Sequence, residues 1–219
     1  MKKIYKSLFG VILSSGMISS LNAQTTVTIT AIGATGSYVT GSVNSAGVKN
    51  DGDMINITST ANAGWAKFDV SSLPVSAVIT NVLCAFTTYS TTSSAASNNL
   101  FGFVGDPAII AGTTLYTNCN TGTSLNLTSW TANAANTKTL NSAGITFVQN
   151  NKSSNSLCIG YSRASINNYN IAGYSGIKGP APQIIITYTI PPVCSGMPTA
   201  GTAVASNTLL CAPQNVNLS

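Results

Sequence analysis

The sequence predicts an all-β protein, an antiparallel β-sandwich of jelly-roll type with about eight or nine short strands and at most one short helix. Three observations support this prediction. Apolar and polar residues alternate with a period of two in many short runs, turn-forming residues separate these runs, and helical patterns do not alternate with strands. The chain has 219 residues, 44% of them hydrophobic, so it is long enough for one domain with part of another and too hydrophobic to be disordered.

The N-terminus has the pattern of a secretory signal peptide, which we assign to residues 1–23. Met1-Lys2-Lys3 is basic, and Leu8–Leu21 is a mostly apolar run of 14 residues. Leu21-Asn22-Ala23 is a cleavage site that leaves Gln24 as the first mature residue. Because a bilayer span takes about 20 residues, a secreted or cell-surface protein is favoured over a membrane anchor.

The mature chain carries little charge. The whole sequence has a net charge of +5, but without Lys2, Lys3 and Lys6 only six basic residues stand against four aspartates, which gives +2. Charged residues make up 6% of the chain, whereas about 25% is usual in a globular domain. The basic residues are scattered singly, so no nucleic-acid partner is expected.

The first predicted strands are short. Residues 26–31 alternate threonine with apolar residues, and residues 54–59 place Ile55 and Ile57 on one face. The Asn-Asp-Gly-Asp sequence at 50–53 is a turn by its residue types.

The stretch Gly64–Pro74 is the clearest strand signal. Ala66, Phe68 and Val70 alternate with other residues on the opposite face, and the final proline prevents simple continuation of the strand. Residues 78–89 form the longest candidate strand. Both of its faces are apolar, as expected for a strand that is buried on both sides or that reaches an interface.

The second half of the chain continues the pattern. Strands are predicted at 100–104, 125–127, 157–161 and 183–190. Residues 142–149 are either one helical turn capped by the initial serine or another strand, since their residue types suit both. Pro191-Pro192 then ends the sandwich domain, which we place at 24–190.

Two motifs resemble a known family. Ala66–Pro74, followed by the strand from Ile79, resembles the core of DNRLRE-type domains, and Pro182–Thr189 resembles their final strand. These domains are jelly-roll sandwiches grouped with carbohydrate-binding modules of secreted bacterial proteins. The resemblance extends over residues 25–190 and implies a glycan-binding or adhesive role.

The C-terminal residues have a resemblance of their own. Cys194–Gly201, followed by Cys211, resembles the start of the Ig-like or PKD-like repeats in large secreted proteins of Bacteroidetes-type bacteria. Residues 191–219 are therefore interpreted as a linker and the truncated start of an Ig-like module, with further domains expected after Ser219.

Enzymatic groups are scarce. The sequence contains neither histidine nor glutamate, so acid–base chemistry is left to Asp51, Asp53, Asp69 and Asp106. All four occupy positions where aspartate is favoured structurally. We therefore expect a protein that is not an enzyme and has no cofactor, apart from a possible Ca²⁺ ion.

The Ca²⁺ hypothesis concerns Asp51 and Asp53. Their carboxylates could supply two ligands for a hard cation. A plain turn explains the same residues, because the spacing of an EF-hand loop is missing.

Sugar binding would use aromatic rings with nearby amides. A flat ring covers the apolar side of a pyranose, and asparagine bonds its hydroxyl groups. Burial of the rings in the core is the alternative explanation. The candidate contact residues are Trp130, Asn168, Tyr169, Asn170 and Tyr174.

The five cysteines suit an oxidising compartment. Cys194 and Cys211 are the preferred disulfide, and such a bridge would stabilise the fold by about 3 kcal/mol in the chain-entropy model. Cys84 suits a buried thiol, and Cys119 with Cys158 is a second candidate pair.

Two functions remain open from the sequence. The first is a non-catalytic glycan-binding or adhesive module of a larger extracellular protein, with a polysaccharide or a cell-surface glycan as its partner. The alternative is a structural spacer of a surface adhesin without a ligand site.

Overall fold

The computed structural model describes residues 23–57, 61–89, 97–163 and 169–192. Within these residues it contains twelve strands and two helices. The strands are β1 Gln24–Thr30, β2 Thr40–Asn44, β3 Lys49–Asp51, β4 Met54–Ile57, β5 Asn62–Phe68, β6 Val78–Tyr89, β7 Ser97–Val104, β8 Thr123–Ser129, β9 Ala135–Thr139, β10 Leu157–Arg163, β11 Tyr169–Ala172 and β12 Gln183–Thr189. The helices are α1 Gly112–Thr121 and α2 Ser142–Asn150.

Several sequence predictions fall outside the described residues. They concern the signal peptide up to residue 22, the contact residue Asn168, both members of the pair Cys194 and Cys211, and the start of a second module beyond residue 192. These remain predictions.

Two six-stranded sheets form the sandwich. Sheet A has the order β1-β12-β6-β11-β4, and β9 lies along the other side of β6. Sheet B has the order β3-β2-β5-β10-β7-β8. Every strand pair is antiparallel, which confirms the predicted all-β antiparallel architecture.

The central core lies between the sheets. It contains Ile55 and Ile184 from sheet A and Ala66, Phe68 and Ile159 from sheet B. Along each of these strands, the inward residues alternate with residues on the other face, as the pleat of a strand requires. Burial of these aliphatic and aromatic side chains is the main stabilising term of the fold.

The turn after β5 agrees with its sequence signal. Ala66 and Phe68 are buried as predicted, and Asp69 accepts hydrogen bonds from the Ser71 hydroxyl at 2.6 Å and the Ser71 backbone N–H at 3.0 Å. These two hydrogen bonds lower the pKa of the Asp69 carboxyl. The aspartate therefore holds the turn that separates β5 from β6.

The described residues contain two helices, although the sequence predicts at most one. In α2, the helical alternative for residues 142–149 is the one that forms, with Asn141 as its cap. The Asn141 side chain accepts a hydrogen bond from Gly144 N–H at 2.8 Å. Helix α1 packs on the outer side of sheet B over a second, smaller core that contains Trp65, Leu115 and Phe103.

Neither of the two described helices has the length and apolar character needed to cross a membrane.

The three cysteines of the described residues are buried free thiols. The predicted bridge between Cys119 and Cys158 is therefore absent from the structure, although both thiols lie in the second core. Burial raises the pKa of the Cys84 thiol to about 12 and outweighs its hydrogen bond with Tyr161. Protonated, enclosed thiols react slowly with oxidants, which favours the buried-thiol interpretation for Cys84.

Candidate functional site

A row of polar and aromatic residues crosses three strands of sheet A. Asn170 of β11 is directly opposite Tyr89 of β6 on one side and Asn56 of β4 on the other. Directly opposed residues share a face of the sheet. The neighbouring Thr88 and Ile171 point into the core, so the row Tyr89–Asn170–Asn56 lies on the outer face of sheet A.

Asn170 contains an unpaired polar atom. Its side-chain Oδ1 is buried and accepts no hydrogen bond from the described residues. A buried polar atom without a partner costs about 1–3 kcal/mol, so such groups are rare in folded proteins. A cost of this kind at a surface row is a reason to examine the row as a binding site.

The row ends at a small cleft, which we call the amide cleft. It has a volume of about 160 Å³ and lies between the β2–β3 hairpin, β5 and the free edge of β4. The lining residues are Ser42, Val43, Asn44, Val48, Asn50, Asn56 and Asn62.

Ser42 joins the two sheets at the cleft. Its hydroxyl oxygen accepts a hydrogen bond from Asn56 N–H at 2.7 Å and lies 3.5 Å from the Met54 carbonyl oxygen. Because β4 is an edge strand, these two backbone groups would otherwise lack a strand partner. One serine side chain therefore fixes the position of Asn56 relative to β2.

The four asparagines of the cleft have different roles. Asn44 Oδ1 accepts a hydrogen bond from Val48 N–H at 2.9 Å and shapes the hairpin. Asn50 and Asn62 lie opposite Ser42 and Asn44 in the strand register, and their side chains make no hydrogen bond to another described residue. The carboxamides of Asn50 and Asn62 are therefore available to a ligand.

The lining of the amide cleft is uncharged. No charged residue is among the seven that line the amide cleft. Burial raises the pKa of the Tyr89 hydroxyl, and the negative charge of Asp53 raises it further. The Tyr89 hydroxyl therefore keeps its proton at neutral pH.

The structure places the predicted contact residues in separate environments. Trp130 is 1% exposed, and its ring packs edge-on against Phe86 and Tyr161 at centroid distances of 4.9 and 6.2 Å. A sugar cannot stack on this ring, so its place in the core removes Trp130 from the candidate contacts. Its alternative role, core packing, is the one found.

Tyrosines 169 and 174 flank the row. The Tyr169 backbone pairs with Ile57 in β4, directly before Asn170. Tyr174 is half-buried beyond the end of β11, and its hydroxyl is 2.7 Å from the Thr35 hydroxyl. Asn170 is therefore the predicted contact residue that the strand register joins to the amide cleft through Asn56.

The two candidate metal ligands hold loops. Asp51 accepts a hydrogen bond from Gly36 N–H. Asp53 accepts one from Ser175 N–H at 2.7 Å and another from the Ser175 hydroxyl. Within the described residues, no group of three acidic, histidine or cysteine side chains converges. Both aspartates therefore make the contacts expected of residues that hold a turn, which was the alternative explanation to a Ca²⁺ site.

A second depression lies beside α2, on another part of the molecule. It has a volume of about 630 Å³ and is open to solvent. Its lining residues are Thr123, Ser142, Ala143, Thr146, Phe147, Asn150 and Asn151. The ring among these residues, Phe147, packs against the central core, and the depression serves below as the source of a control residue.

The sequence analysis did not single out Tyr89 or the asparagines of the cleft. Those asparagines recur every six residues, at 44, 50, 56 and 62, and this spacing is the sequence signal that could have identified them. Tyr89 ends the longest predicted strand, but only the strand register places it beside Asn170.

Comparison with protein-family models and with curated proteins finds no match. Among solved structures, the chain has similarity to a cryo-EM structure of Mud crab tombus-like virus. The two are 12% identical, the match covers 88% of this chain and 94% of the other, and the TM-score is 0.32. At this TM-score the likeness carries no argument about fold or function.

Proposed function

We propose that this protein is a non-catalytic glycan-binding module of an exported protein that is secreted or held at the cell surface. The observation that carries the proposal is the row Tyr89–Asn170–Asn56, which leads into the amide cleft. The row contributes a tyrosine and an asparagine with an unpaired Oδ1, and the cleft at its end contributes the carboxamides of Asn50 and Asn62.

The chemistry of these groups suits a sugar. A sugar hydroxyl both donates and accepts hydrogen bonds, and a carboxamide offers both functions without charge. A tyrosine ring covers the apolar face of a pyranose while its hydroxyl stays hydrated. Such sites are typically concave and have a few well-placed polar groups.

The wider context of the proposal comes from the sequence. The signal-peptide pattern at residues 1–23 and the resemblance to DNRLRE-type domains favour an exported module at the N-terminus of a larger adhesive or polysaccharide-acting protein. Tyr169 and Tyr174, the sequence-predicted contacts before and after Asn170 in the chain, are kept as proposed contacts.

A binding experiment with matched variants tests the proposal. The full chain is applied to a glycan array and to insoluble polysaccharides, together with Tyr89→Ala, Tyr89→Phe and the double variant Asn50→Ala/Asn62→Ala. The affinity of the double variant is expected to fall at least about tenfold, since each hydrogen bond contributes about 0.5–1.5 kcal/mol. Tyr89→Phe keeps the ring and is expected to retain more binding than Tyr89→Ala.

Asn150→Ala is the control, because this exposed asparagine lies at the separate depression beside α2. Its binding should equal that of the unmodified protein. Absence of binding to every glycan would contradict the proposal and support the spacer alternative. Equal binding by all variants would also contradict it, by placing the ligand elsewhere.

A further inference from the structure

The amide cleft has the chemistry of a site for uncharged ligands. Its free side chains are those of Asn50 and Asn62, and its remaining polar groups are hydroxyl or amide groups. Recognition of a carboxylate or sulfate normally uses arginine or lysine, whose charged hydrogen bonds are about twice as strong as neutral ones. None of the lining residues offers such a group.

The charges around the site also disfavour an anion. Asp53 acts on the Tyr89 hydroxyl from one side, and Asp51 follows Asn50 directly in β3. Lys49, on the other side of Asn50 in the chain, is not among the residues that line the cleft. Its ammonium group is directed to the loop before α1, where it donates hydrogen bonds to the carbonyl oxygens of Pro107 at 2.7 Å and Ala108 at 3.0 Å.

The dimensions of the site limit the length of the ligand. The cleft volume of about 160 Å³ lies below the range of about 300–1,000 Å³ that is usual for drug-sized ligands. A single sugar ring suits such a volume. Tyr89 lies two strand spacings from Asn56, a separation of about 10 Å, so its ring can cover a second sugar linked to the first.

We propose, on the basis of the proposed function, that the site binds the uncharged terminal disaccharide of a glycan and discriminates against uronic acids. One ring occupies the amide cleft and is bonded by Asn50 and Asn62. The adjoining ring lies along Asn170 and against Tyr89. Sugars beyond these two extend into solvent and add no contact with the row.

Calorimetry with defined oligosaccharides tests this inference. The full chain is titrated with mono-, di- and hexasaccharides of glucose, mannose, galactose, xylose and N-acetylglucosamine. Any hexasaccharide with primary hydroxyl groups that binds is compared with its C6-oxidised uronate form. The disaccharide should bind at least tenfold more tightly than the monosaccharide and within about threefold of the hexasaccharide, and the uronate at least tenfold more weakly.

A charge variant tests whether Asp53 contributes to the discrimination against uronic acids. Asp53→Asn keeps an acceptor for Ser175 N–H and removes the negative charge that helps to raise the pKa of the Tyr89 hydroxyl. The ratio between the affinities for the neutral and the oxidised glycan should fall in this variant. An unchanged ratio would show that Asp53 plays no part in the discrimination and would overturn that step.

The remaining outcomes distinguish this inference from the proposed function. Tight binding of the uronate, or an affinity that keeps rising from disaccharide to hexasaccharide, would overturn the inference while leaving glycan binding intact. Absence of binding in both the neutral and the oxidised series would overturn both. Binding that Tyr89→Ala and Asn50→Ala/Asn62→Ala leave unchanged would place the ligand outside the site.

Discussion

Two asparagines of sheet A, on two strands that both pair with β6, illustrate opposite uses of the same side chain. Asn136 of β9 is buried with every polar atom bonded: its Nδ2 donates to the carbonyl oxygens of Thr131 and Ala134, and its Oδ1 accepts from Thr131 N–H. Asn170 has a buried Oδ1 without a partner among the described residues. The first asparagine stabilises the fold, whereas the second leaves a buried oxygen unpaired and costs stability.

The contrast predicts a trade between stability and binding at Asn170. Asn170→Val removes the unpaired oxygen and places a residue with high β-propensity in a strand. The free energy of unfolding should rise by about 1 kcal/mol in urea denaturation, and glycan binding should weaken. A loss of stability in this variant would contradict the assignment of Oδ1 as an unsatisfied group.

Asn136→Val is the matched control for this substitution. It leaves the Thr131 N–H without its acceptor, whereas the carbonyl oxygens of Thr131 and Ala134 keep hydrogen bonds from Thr88. The free energy of unfolding should fall by about 1–3 kcal/mol, the usual cost of one buried group left unpaired.

The strands were predictable from the sequence where one face of an element is buried. Ala66 and Phe68 alternate in the chain and lie in the core of the structure, because the period of two follows from the pleat. Strand β11 has no strand signal of its own in the sequence, since four residues are too few to show a pattern. Its place in sheet A depends on pairing with β4 and β6, which are remote in sequence.

Helix α1 was missed for a physical reason. Threonine and asparagine, which are weak helix formers, make up most of its sequence, and only Leu115 and Cys119 are buried. Thr117 and Thr121 donate their hydroxyl hydrogens to backbone carbonyls one turn earlier. The helix is therefore held by packing on sheet B, and local propensity could not reveal it.

The close packing of α1 on β10 predicts the effect of a methyl group at Gly160. A Cβ at this position would lie 2.7 Å from Cys119 Cα and 3.1 Å from its carbonyl oxygen, so the helix backbone has to move. Gly160→Ala should lower the free energy of unfolding by about 1–3 kcal/mol, the usual cost of overpacking. Urea denaturation followed by circular dichroism measures it.

Gly52→Ala is the control for Gly160→Ala. A Cβ at Gly52 would meet no atom within 4 Å, and its backbone is outside the left-handed region. This substitution should change the free energy of unfolding by less than about 1 kcal/mol, and in the stabilising direction, because alanine restricts the unfolded chain. Equal destabilisation by both substitutions would contradict the packing argument.

The candidate site was less predictable than the fold. Residue types identified an amide and tyrosine surface near Asn170, but the row needs the register of β6, β11 and β4. The burial of Trp130 was not predictable either, since a tryptophan after a short strand has the same local sequence whether it lies in the core or on the surface. The structure places it in the core.

At the scale of the whole molecule, β5 and β10 contribute to both hydrophobic cores. In β5, Phe68 points into the central core and Trp65 into the second core under α1. In β10, Ile159 belongs to the central core and Cys158 to the second core. Because two strands of sheet B supply opposite faces to the two cores, loss of either strand would disrupt both cores.

This sharing predicts that the two cores unfold together, and the two tryptophans of the chain report on them separately. In Trp130→Phe, the remaining Trp65 senses the second core, and in Trp65→Phe, the remaining Trp130 senses the central core. Within each variant, the urea midpoint from tryptophan fluorescence should equal the midpoint from far-UV circular dichroism, as a two-state transition requires. Comparison within one variant removes the effect of the substitution itself on stability. An earlier fluorescence transition for Trp65 would show that α1 and the second core form a separate unit.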